Sequence, residues 1–114
     1  VSTSEEGGPK VRERDIEQIL VREVKNLGGR AYKWTSPGNN GVPDRIVFFA
    51  DGRVAFVELK AEGGRPTKQQ VVQMRRLRDL GQTVYLSVGI RGIVRFFREM
   101  GFPKTARRIE VLYE

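Results

Sequence analysis

The chain contains no cysteine and no histidine. The first absence excludes a disulfide framework and any thiolate zinc site. The second excludes serine triads, cysteine proteases, histidine-ligated nuclease metals and every imidazole acid or base. Chemistry is left to carboxylates, lysines, tyrosines and metal-bound water. Long hydrophobic runs are missing too: none approaches the ~20 residues that span a bilayer. The opening VSTSEEGGPK lacks the apolar core of a signal peptide. A soluble, intracellular protein with no membrane partner is expected.

What the sequence does have is positive charge. Twenty-one Lys and Arg stand against fourteen Asp and Glu, a formal net charge of +7. That balance favours a polyanionic partner such as nucleic acid over simple solubilising charge. With 114 residues there is room for one hydrophobic core. Residues 1–10 mix Ser, Glu, Gly and Pro without periodicity and are expected to be disordered, leaving 11–114 as a single domain.

From about Val11 the apolar spacing is helical, through Ile16, Leu20, Val24 and Leu27, until Gly28-Gly29 stops it. Arg30 to Trp34 reads as a short strand, followed by the loop TSPGNNGVP. Arg45–Phe49 and Val54–Lys60 are rich in β-branched and aromatic residues, and the short link Ala50-Asp51-Gly52 makes them an antiparallel hairpin. Thr67 with Gln70 matches a capping box opening a helix to Leu80, with Val71, Met74, Leu77 and Leu80 as its apolar stripe. A fourth strand is expected over Thr83–Val88 and a helix over Gly92–Met100. The tail RRIEVLYE alternates in a way that suits a strand, or an extended arm packing on a second subunit. The sum is an α/β sandwich, a mixed sheet flanked by helices.

Charge interrupts this pattern at one place. Within Val54–Lys60, the residues Val54, Phe56, Glu58 and Lys60 share a face. A carboxylate at the edge of an apolar face is costly unless a cation or the lysine is close. Whether Asp44 joins it depends on the hairpin turn. A two-residue Asp51-Gly52 link would pair Asp44 with Leu59 and send it to the opposite face. A three-residue link, with Gly52 left-handed as a bulge, sets Phe49 opposite Arg53 and hence Asp44 opposite Glu58. In that register Asp44, Glu58 and the Leu59 carbonyl can hold a hard divalent cation such as magnesium, with manganese as a substitute. Lys60 can orient or deprotonate water and offset charge on a pentacovalent phosphorus.

At this point the chain resembles the PD-(D/E)XK nuclease superfamily, and within it the VRR-NUC family. The resemblance rests on ERDIE, KWTSPGNNGVPDR, FVELKAEGGRPTKQQ and LRDLGQTVYLSV, which together span about residues 12 to 88. It implies a restriction-endonuclease-like αβββαβ core. It also implies that Asp44 and Glu58 bind metal, that Lys60 is the catalytic lysine, and that Gln70 orients the site. Glu13, in preference to Glu17, matches the acid of the first helix. Lys33, Arg45, Arg65 and Lys68 are candidate phosphate contacts, while Trp34 and Tyr32 read as core or interface residues rather than stacking platforms. Small stand-alone members resemble Holliday-junction resolvases. The resemblance therefore implies a homodimer acting on branched or four-way DNA in the cytoplasm of a bacterial or phage-infected cell.

Overall fold

A computed structural model describes residues 11–114, so the disorder expected of residues 1–10 lies outside the described residues. The elements run α1 (Glu13–Asn26), β1 (Arg30–Lys33), β2 (Arg45–Phe48), β3 (Val54–Lys60), α2 (Lys68–Asp79), β4 (Val84–Val88), α3 (Gly89–Glu99) and α4 (Pro103–Tyr113). The four strands form one mixed sheet in the order β1-β2-β3-β4, antiparallel except for the parallel β3–β4 pair. This is the α/β, restriction-endonuclease-like arrangement. Among the described residues, no helix is long and apolar enough to cross a membrane.

Alternation along β3 divides the molecule. Ala55, Val57 and Leu59 face the main core, where they meet Ile16, Leu20 and Val24 of α1, Ile93 and Phe97 of α3, and Ala106 and Ile109 of α4. The other face carries Phe56, Glu58 and Lys60. There α2 packs near β4 and buries Met74, which is no part of the main core. The expected helix from Thr67 to Leu80 is α2 with its caps: the Thr67 hydroxyl accepts from the Gln70 N–H, and the Gln70 side chain accepts from the Thr67 N–H.

Two expectations need correction. The helix placed at Gly92 begins at Gly89, directly after β4, because a positive φ of 66° lets the chain turn there without a loop. Gly92 instead lets α3 close on the sheet: a Cβ there would lie 2.6 Å from the Ser87 carbonyl carbon. The tail is neither strand nor extended arm but the second half of α4. Pro103 opens the helix at its first turn. The inward set Thr105, Ala106 and Ile109 has helical spacing and is buried, whereas Val111 and Leu112 remain exposed.

Candidate active site

The hairpin has the three-residue link. The Phe49 N–H donates to the Arg53 carbonyl at 2.9 Å, the Gly52 N–H donates to the Phe49 carbonyl at 3.0 Å, and Gly52 has φ +93°. Ile46 faces Phe56 and Arg45 faces Val57. Continued by one residue, that register sets Asp44 opposite Glu58.

Asp44 lies just before β2, where the Trp34 N–H donates to its carbonyl at 3.0 Å. Its Oδ2 accepts the Leu59 backbone N–H at 2.8 Å. The backbone of Leu59 points toward β2, since the Phe56 N–H already donates to the Thr83 carbonyl on the β4 side and strand groups alternate. The residue facing Leu59 in the continued ladder is Pro43, which has no N–H to offer. The Leu59 carbonyl is therefore left directed at the same spot as the Asp44 carboxylate.

Glu58 is 1% exposed. Its Oε2 lies 3.3 Å from the Lys60 ammonium, and its Oε1 is buried with no hydrogen-bond partner among the described residues. A half-satisfied buried carboxylate is costly, and its acidity records this. Burial first, then the nearby Asp44 charge, push Glu58 up to about 7, against the pull of Lys60. Asp44 is raised as well, by burial, with the Leu59 N–H working the other way. Two carboxylates, one with an oxygen lacking any donor, and a stray carbonyl form an all-oxygen set suited to a hard divalent cation. Among the described residues, no third acidic side chain joins them as a cluster.

The two candidate acids of α1 separate by their partners. Glu17 holds the Arg45 Nε at 2.7 Å. Glu13 is exposed, has no ion-pair partner among the described residues, and its charge bears on Glu58. Arg45 is turned inward to Glu17 and to the Ala31 carbonyl at 3.0 Å, which ties α1 to β1. Its guanidinium is thus already occupied, unlike the exposed Lys33, Arg65 and Lys68. Gln70 spends its carbonyl oxygen on the capping box, leaving its amide N–H groups to donate elsewhere. Trp34 packs on Phe56 at 5.3 Å between centroids, on the site face, whereas Tyr32 is 58% exposed.

The sequence assigns no role of their own to Pro43, read only as part of the Pro-Asp pair, or to Gly41. The signal for Pro43 was the register sum that pairs it with Leu59. Gly41 has φ +89°, and a Cβ there would meet the Gln69 and Gln70 backbone at 2.7 to 2.8 Å. The loop before Asp44 is thereby pressed onto the first turn of α2.

Comparison with known proteins points one way. The chain is 50% identical over 74 residues to "Putative nuclease p44" of Acyrthosiphon pisum secondary endosymbiont phage 1, covering 65% of this chain and 80% of that one. A solved structure named "VRR_NUC domain" superposes with a TM-score of 0.62 at 25% identity, over 89% of this chain and 97% of its own. A second, named "VRR_NUC domain protein", gives 0.61 at 12% identity over 79% and 88%, a likeness of fold. No family model matches the sequence.

Proposed function

Because the chain belongs to the VRR-NUC family of nucleases, we propose that it is a magnesium-dependent, structure-specific endodeoxyribonuclease that resolves four-way junctions as a homodimer. The observation that carries this reading is the buried, unpartnered Glu58 Oε1 beside Asp44, with Lys60 at 3.3 Å from the other oxygen. Asp44, Glu58 and the Leu59 carbonyl would hold the cation. When bound, it supplies Lewis-acid stabilisation of charge on the phosphate and a more acidic water.

The side chains provide the remainder. Lys60 offsets negative charge developing on phosphorus as an ammonium and, as the neutral amine, can take a proton from water. Gln70 can donate an amide N–H to a phosphate oxygen, and Glu13 can orient water from the rim. Lys33, Arg65 and Lys68, all exposed, would contact flanking phosphates. A two-fold dimer suits a four-way junction because paired sites can nick two symmetric strands.

The test is labelled four-way junction and matched duplex incubated with and without magnesium, together with sedimentation of the protein. Symmetric nicks that require magnesium, from a dimer, are expected. Cuts confined to flapped or nicked duplex would favour a flap nuclease on this fold, and retardation without cleavage would reduce the protein to a DNA binder. Glu58→Gln and Lys60→Ala should abolish cleavage while leaving junction binding largely intact; full activity in either would remove this site.

A further inference from the structure

Net positive charge does not say where DNA lies, because many of the surface cations are paired with carboxylates. In the groove between α3 and α4, Arg91, Arg95 and Arg98 pair with Glu114, Glu99 and Glu110. On the outer face of α4, Arg107 pairs with Glu110, and Arg108 pairs with the buried Glu23. Cations neutralised in this way displace fewer counterions from a phosphate backbone.

The groove between the Gly38–Asn40 turn and α2 differs. Among the described residues it is lined by Gly38, Asn39, Asn40, Lys68, Gln69, Val72, Gln73 and Arg76, without a carboxylate. Lys68 and Arg76 are exposed and have no ion-pair partner among the described residues. They stand eight residues apart on one helix stripe, about 12 Å, with Val72 between them. Gln69 and Gln73 run alongside, and Asn39 and Asn40 face them from the loop. Each amide offers both a donor and an acceptor, so the lining can bind sugar and base edges of varied sequence.

Both walls lead into the site. The loop wall continues through Gly41 and the buried Pro43 to Asp44, and the helix wall is continuous with Gln70. The close contact of Gly41 with the Gln69 and Gln70 backbone joins the two walls at that end. A strand with one phosphate at Glu58 would run from there along this groove.

We propose that the groove between the Gly38–Asn40 turn and α2 binds the DNA strand flanking the cleaved phosphate, with Lys68 and Arg76 on its phosphates and Asn40, Gln69 and Gln73 on its sugars and base edges. This rests on the nuclease reading, and it adds Arg76 and three amides to Lys68, which the sequence already offers as a phosphate contact.

The experiment measures binding of fluorescent four-way junction and duplex to Glu58→Gln protein across a salt series. Each phosphate contact contributes a slope of about 0.9 in log K against log salt. Lys68→Ala with Arg76→Ala should therefore lower the slope by nearly two and weaken binding at least tenfold at low salt. In the Glu58-intact protein, the same pair should raise KM with kcat within about threefold. Gln69→Ala with Gln73→Ala should weaken binding without changing the slope. Lys104→Ala, on the far side of the molecule, should leave affinity and slope alone. An unchanged slope in the Lys68/Arg76 variant, or an equal loss from Lys104→Ala, overturns the proposal. A protein that cuts no DNA yet loses slope with Lys68 and Arg76 retains the groove and loses the nuclease reading; one that cuts DNA with slope unchanged does the reverse.

Discussion

The Asp44 carboxylate accepts the Leu59 N–H at 2.8 Å, the position a backbone carbonyl would take if the β2–β3 ladder continued. A side chain thus ends the ladder and holds itself against Glu58. Asparagine keeps an acceptor there while discarding the charge. Asp44→Asn should therefore melt within a few degrees of the parent yet lose cleavage by two orders of magnitude or more. Asp44→Ala leaves the Leu59 N–H unpaired and should cost a further ~1–3 kcal/mol. Thermal melts beside a cleavage assay separate these effects; cleavage by Asp44→Asn near the parent rate would remove Asp44 from the site.

Glu58 makes the protein's stability fall with pH across a defined window. Folded Glu58 keeps its proton up to about pH 7, while an unfolded glutamate releases it near its ordinary 4.5. Between those values the folded state binds more protons, so stability contributed by this group is lost as pH rises. Glu58→Gln cannot lose it. Without divalent metal, the variant's stability relative to the parent should rise by on the order of 2–3 kcal/mol between pH 4.5 and 7.5. Urea titrations at both pH values measure this, and parallel curves would contradict the burial of an unpaired Glu58 oxygen. Magnesium at pH 7.5 should stabilise the parent and not the variant.

The register of the hairpin does not depend on the length of its link alone. Deleting Ala50 leaves Phe49 opposite Arg53 through a two-residue Asp51-Gly52 turn, a favoured hairpin connection. Asp44 then still faces Glu58. The deletion should fold and cleave within a few-fold of the parent; a folded but inactive product would show that Ala50 does more than complete the turn.

Much of this site was legible because strand geometry is countable. Of the two turns the link Ala50-Asp51-Gly52 allows, the three-residue one aligns Asp44 with Glu58 and is the one found, and the alternation of β3 placed Lys60 beside Glu58. The hairpin and α2 were readable from clear start and stop signals, although of the stripe expected on α2 only Met74 is buried, with Val71 and Leu80 exposed. The tail was misread because Ile109, Val111 and Tyr113 alternate over too few residues to tell two periods apart, and packing of Ala106 and Ile109 on the core decided the matter. The Arg45–Glu17 pair joins residues 28 apart in sequence. Only the three-dimensional docking of α1 shows that this arginine is not free for phosphate. The groove on α2 escaped notice for a related reason: the freedom of Lys68 and Arg76 depends on where every acid lies.

Pro43 offers the sharpest test of the Leu59 carbonyl. It is almost fully buried and faces Leu59 in the continued register, contributing no donor. Pro43→Ala restores an N–H at that position. Its hydrogen bond to the Leu59 carbonyl, worth about 1 kcal/mol, would compete with any cation there. The magnesium concentration for half-maximal cleavage should rise about fivefold, while the rate at saturating magnesium stays close to that of the parent. Loss of the proline ring also weakens local packing, so melting temperature must be followed in parallel. Pro43→Val, bulkier and likewise bearing an N–H, should show the same shift in magnesium demand. If both variants respond to magnesium like the parent while remaining folded, the Leu59 carbonyl is not a ligand, and Asp44 and Glu58 hold the cation without it.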